Sequence, residues 1–113
     1  MSRDWKLFLQ DMKRSCDRIL NYVEGMDRIG FFNDQKTVDA VLRNLEIIGE
    51  ASKKIPLAIQ LEWPEIPWRR IGGMRNWLAH AYFGIEEDFV WNVVEDHIPG
   101  LKQSLVKILG ENF

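Results

Sequence analysis

Eight residues, Arg75-Asn76-Trp77-Leu78-Ala79-His80-Ala81-Tyr82, bring a guanidinium, an imidazole and a phenol into one short stretch. Arginine is a permanent, planar cation that can hold two phosphate oxygens at once. Histidine is the side chain whose ordinary pKa lets it take and give protons near neutrality. Together they point to phosphodiester chemistry. Metal-free cleavage of RNA asks for three things: a base for the 2′-hydroxyl proton, a cation for the charge on the phosphorane, and an acid for the leaving oxygen.

The spacing limits how one chain could supply them. On a regular helix Arg75 and His80 stand about 140° apart, whereas Asn76 and His80 share a face, as do Arg75 and Tyr82. Either the helix is irregular near His80 or a second chain completes the site. One motif histidine per chain also favours two chains, since a two-fold dimer sets two copies of Arg75 and His80 around one cleft. Between Ile66 and Ile85 there are three arginines, Arg69, Arg70 and Arg75, and no acidic residue. Such a basic segment could hold a single strand, with Trp68, Trp77 or Tyr82 available for stacking. The overall balance of 15 Lys and Arg against 17 Asp and Glu, net −2, excludes a grip on nucleic acid by the whole surface.

Other candidates carry less. His97 precedes Pro99 at a helix junction and reads first as structural; it is also the one other histidine able to serve as an acid. Glu50 is given no role, because a carboxylate late in a helix is usually solvated or paired. Glu86, Glu87 and Asp88 could hold Mg²⁺, although acids at a helix start need no metal to explain them. No cysteine and histidine cluster has zinc spacing, and no glycine loop is built for phosphate, so neither metal nor cofactor is expected.

The elements that must position the motif follow from apolar periodicity. At 113 residues the chain is expected to be one domain, 1–113. From Trp5 to Ile29 the positions Phe8, Met12, Cys16, Ile19, Val23 and Met26 recur at steps of three and four, which predicts one long amphipathic helix ended by Gly30. Asn33 or Asp34 is placed to cap a second helix running to about Lys54, with Val38, Val41, Leu45, Ile48 and Ser52 as its stripe, Leu42 and Ile55 beside it, and Pro56 to stop it. The stretch from Pro56 to Pro67 reads as a connection with room for one short turn of helix. Pro67 suits the first position of a third helix reaching about Tyr82, and Gly72-Gly73 within it implies a kink or a close backbone contact. A fourth helix starts near Glu86, and Pro99 is expected to split it from a last one carrying Leu101, Leu105 and Ile108. The expected architecture is an all-α bundle of four to five helices, with the two long N-terminal ones antiparallel.

The single cysteine, Cys16, cannot form an internal disulfide, so a reducing cytoplasm is the expected compartment. Arg3, Asp4 and Lys6 break any leader-like apolar start, and no run approaches the ~20 apolar residues of a membrane span; no membrane partner is expected.

Arg75-x4-His80-x-Tyr82, set within Trp68-Arg-Arg-Ile-Gly-Gly-Met-Arg-Asn-Trp-Leu-Ala-His-Ala-Tyr-Phe83 and preceded by Ile48-Gly-Glu-Ala-Ser52, resembles the HepT-like toxins of the HEPN superfamily. The Asp96-His-Ile-Pro-Gly-Leu101 segment and the helix order extend the likeness over nearly the whole chain. It departs at Gly72-Gly73, where a bulkier residue is usual at one position. The resemblance implies a HEPN-like helical bundle and a homodimeric, metal-independent endoribonuclease with its cleft at the dimer interface. It also implies a toxin–antitoxin module whose antitoxin, a minimal nucleotidyltransferase, silences the toxin by AMP transfer. Carried over, Arg75 would hold the scissile phosphate of RNA, His80 would move the proton, Tyr82 would receive AMP, and Asn76 would contact substrate or His80. The alternative is a catalytically silent HEPN-type module that docks a nucleotidyltransferase, or binds nucleotides, through the same surface.

Overall fold

A computed structural model describes residues 4–76, 78 and 87–112. Its elements are α1 (Trp5–Tyr22), α2 (Arg28–Phe32), α3 (Gln35–Ser52), α4 (Leu57–Glu62), α5 (Trp68–Gly72), α6 (Glu87–Asn92), a π-helical stretch (Val93–His97) and α7 (Ile98–Asn112). The described residues contain no strand. The all-α bundle expected from periodicity is the fold.

Aspartates start three of these helices. Asp4 accepts from the Lys6 backbone N–H, Asp27 from that of Gly30, and Asp34 from that of Thr37, each satisfying an amide that has no partner within its helix. The cap at Asp27 corrects the sequence reading. The first long helix ends at Tyr22 rather than Ile29, and the chain reverses through Gly25, whose φ of 77° lies in the left-handed region open to glycine. Gly30 therefore does not end α1; it sits inside α2, donating to Asp27 Oδ1 at 2.8 Å. Periodicity failed here because Val23 and Met26, though past the end of α1, still pack against the core.

α1 and α3 form the centre of the molecule. Leu9, Met12, Cys16 and Ile19 of α1 meet Val41, Leu42, Leu45 and Ile48 of α3 in one continuous core. The pair is antiparallel: Phe8 and Asp11, early in α1, share a groove with Arg43, Ile47 and Glu50, late in α3. α7 packs on α1 and contributes Leu105 and Ile108, both fully buried. Asp17 of α1 ties the two together, standing 2.7 Å from Lys13 Nζ and 2.9 Å from Lys102 Nζ of α7. Partial burial pushes the Asp17 pKa up, but the two ammonium groups together outweigh it and hold the carboxyl below its ordinary 3.8. Burial pushes the Cys16 thiol up to about 12, with the Asp17 charge adding to the shift.

Pro99 does not split the last helix as expected. It is the second residue of α7, which follows the π-helical stretch without a break. A proline inside a helix removes one N–H and crowds the carbonyl four residues back, here that of Glu95. The wider π turns over Val93–His97 accommodate both effects, so the chain stays helical through a position that ordinarily ends a helix.

Candidate functional site

The segment that carries the motif arginine is seated on the C-terminal end of α3. Pro67 is the N-cap of α5 rather than its first residue, and Ile71 and Met74 are buried against the core. The two elements lie close together at Gly49. A Cβ added there would lie 3.1 Å from the Ile71 carbonyl oxygen, tighter than a side-chain carbon ordinarily packs, and at an ordinary 3.7 Å from Met74 Cβ. Ser52, one turn on, satisfies its buried hydroxyl by donating to the Gly49 carbonyl at 2.7 Å. Gly49 and Ser52 thus leave α3 a small-residue surface, its hydroxyl satisfied within the helix, against which α5 packs.

The Gly72-Gly73 pair ends α5. Gly73 is its C-cap, with φ −86° and ψ 2°, and helical backbone resumes at Met74–Asn76. A Cβ on Gly72 would meet only side-chain atoms of Lys53 and Ser52, at ordinary distances of 3.5 Å and more, so of the two expected explanations the kink occurs and the close backbone contact with a neighbour does not. The third helix is therefore not continuous from Pro67, since the two glycines interrupt it just before Met74.

Beyond that break Arg75 projects into solvent with 74 % of its side chain exposed. Its Nη1 lies 3.9 Å from Glu50 Oε1, and the same carboxylate oxygen is 3.7 Å from Lys53 Nζ. Both separations exceed hydrogen-bond length, so the interaction is an ion pair through partly wet space rather than a bidentate clamp. Asn76 is exposed beside it, its backbone N–H bonded to the Gly73 carbonyl at 3.3 Å. Arg69 and Arg70 are exposed on α5, which keeps the segment basic.

Of the site residues expected from sequence, the structure thus places Arg75 and Asn76 together at the surface. His80 and Tyr82 lie outside the described residues, as do Trp77 and Glu86. Trp68 is corrected: it is 9 % exposed and donates from its indole N–H to the Trp63 carbonyl at 3.0 Å, so it belongs to the core and is not a stacking platform. His97 is exposed at the end of the π-helical stretch. Asp88 pairs with Arg28, linking α6 to α2. Glu50, expected to be solvated or paired, is both: its side chain is 48 % exposed and lies within ion-pair distance of Lys53 and Arg75.

The family model described as ribonuclease HepT-like matches residues 12–108, a span that includes this site. This chain belongs to the HepT-like family. Relatives agree over nearly the full length of this HepT-like chain. It is 42% identical to "Probable ribonuclease HepT" of Thermococcus cleftensis, over 96% of this chain and 98% of that protein. It is 42% identical to "Putative RNase MJ0125" of Methanocaldococcus jannaschii, over 95% of this chain and 92% of that protein. A third relative from the same organism, "Gamma-glutamylcyclotransferase and putative RNase MJ0434", is 36% identical over 98% of this chain and 50% of its own length. No solved structure matches. No helix of the described residues is long and apolar enough to cross a membrane.

Proposed function

We propose that this HepT-like protein is an endoribonuclease that cleaves RNA without a metal ion, at a composite site formed where two copies of the chain meet. The observation that carries the reading is the exposure of Arg75 on a basic segment that packs against α3 at Gly49, the guanidinium engaged only loosely by Glu50. A guanidinium so placed is free to exchange its partner for a phosphate and to stabilise charge that develops on it. In this reading His80 takes the proton of the 2′-hydroxyl, its symmetry mate protonates the leaving oxygen, and Asn76 orients substrate or imidazole. The relatives' names support the ribonuclease class.

The same reading makes the chain a toxin, and its partner a minimal nucleotidyltransferase that transfers AMP to Tyr82. A nucleotide on that phenol would add bulk and a negative phosphate near Arg75, competing with RNA for the same cation. The test is growth on expression of the wild type, with and without the nucleotidyltransferase, beside His80→Ala and Tyr82→Phe. Arrest by the wild type, its loss in His80→Ala, and failure of the nucleotidyltransferase to rescue Tyr82→Phe support the proposal. Arrest by His80→Ala as strong as by the wild type contradicts it.

A further inference from the structure

We propose that Glu50 is a positioning residue for Arg75: its carboxylate holds the guanidinium over the site in the absence of RNA and yields it to the scissile phosphate when RNA binds. The inference rests on the ribonuclease reading for what Arg75 does, but its structural half stands by itself. Glu50 follows Gly49, where a Cβ would come within 3.1 Å of the Ile71 carbonyl oxygen, so the α3 backbone beside Glu50 packs directly on the segment that leads to Arg75. Its Oε1 is shared between Lys53 at 3.7 Å and Arg75 at 3.9 Å, and its side chain is 48 % exposed. A pair with that separation and exposure biases the direction of a long side chain without locking it. A phosphate that accepts two parallel N–H bonds from the fork is the stronger partner and displaces the carboxylate. Left in place, the carboxylate also repels the incoming anion, so its removal separates two effects that a purely structural residue would not separate.

The experiment compares wild type, Glu50→Gln and Glu50→Asp. The heteronuclear NOE of the Arg75 Nε–Hε group is measured without RNA, and kcat and KM are measured on a single-stranded RNA. Glu50→Gln is expected to lower the Arg75 NOE. It should also reduce KM by roughly threefold, because one negative charge near the phosphate is gone, and reduce kcat by roughly threefold, because an exposed pair at this separation orients the fork only modestly. Glu50→Asp, which keeps the charge, should return KM to the wild-type value and recover part of kcat. An unchanged Arg75 NOE in Glu50→Gln overturns the proposal whatever the kinetics, and so does an altered NOE with unchanged kcat and KM. A wild type that cuts no RNA, while the NOE still responds to Glu50→Gln, sinks the ribonuclease reading and leaves the Glu50–Arg75 coupling standing.

Discussion

Gly49→Ala tests whether the motif segment is seated as tightly as the geometry requires. In an open helix this substitution stabilises, because alanine is favoured over glycine by about 1 kcal/mol. At Gly49 the new methyl would sit 3.1 Å from the Ile71 carbonyl, and that oxygen belongs to backbone, not to the far end of a flexible side chain. Something must move by a few tenths of an ångström, and inserting a methyl into a packed contact costs about 1–3 kcal/mol. The net is a loss of about 0–2 kcal/mol, or a fall in Tm of up to roughly 8 °C for a domain of this size. Gly100→Ala supplies the control. Gly100 lies in α7, and a methyl placed on it would meet nothing within 4 Å, so alanine there should raise stability by about 1 kcal/mol. Thermal unfolding followed by circular dichroism reads both. Stabilisation by Gly49→Ala as large as that by Gly100→Ala would refute the reasoning, for then α3 and α5 are not in firm contact.

Three other expectations follow from the same structure. Asp17 has a lowered folded-state pKa, so its pairs with Lys13 and Lys102 stabilise above its ordinary 3.8 and are lost as the pH falls through the folded value. Asp17→Asn should therefore flatten the acid limb of stability against pH, with a loss at pH 7 of about 1 kcal/mol or less because the pair is partly solvated; denaturant titrations at pH 7 and pH 3 measure it. Cys16, buried and pushed up to about 12, should resist a thiol reagent at pH 8 in the folded protein and react promptly in denaturant. Leu45→Ala, at a fully buried α3 position facing α1, should cost about 2–5 kcal/mol by urea unfolding.

The long helices were legible because they bury a stripe. Met12, Cys16 and Ile19, with Val41, Leu45 and Ile48, were placed in the core by spacing alone, and the structure buries all six. Asp34 was legible as a cap because its side chain has one obvious local use. What was hidden depends on tertiary contact or on compensation. The break at Gly25 was masked by apolar residues that pack without being helical, and Pro99 was read as a terminator because a single sequence gives no sign of the π turns that absorb it. Trp68 was offered for stacking because aromatic type says nothing about which side is covered; its indole bond to the Trp63 carbonyl decides that. Arg75 and Asn76 were singled out from the sequence, and the structure places both at the surface. The support under them, Gly49, Ser52 and Glu50, comes from a separate helix much earlier in the chain, and only the folded chain brings it beneath Arg75.

The central claim is that Arg75 and His80 cut RNA without a metal. It is tested most directly by incubating purified wild type, Arg75→Ala and His80→Ala with single-stranded RNA in excess EDTA and resolving the products. Because Arg75 is largely exposed and its ion pair is long, Arg75→Ala should match the stability of the wild type to within about 1 kcal/mol, so a loss of cleavage is a loss of chemistry. The account predicts cleavage by the wild type in EDTA and none by either variant. Cleavage abolished by EDTA, or undiminished in Arg75→Ala, would contradict it.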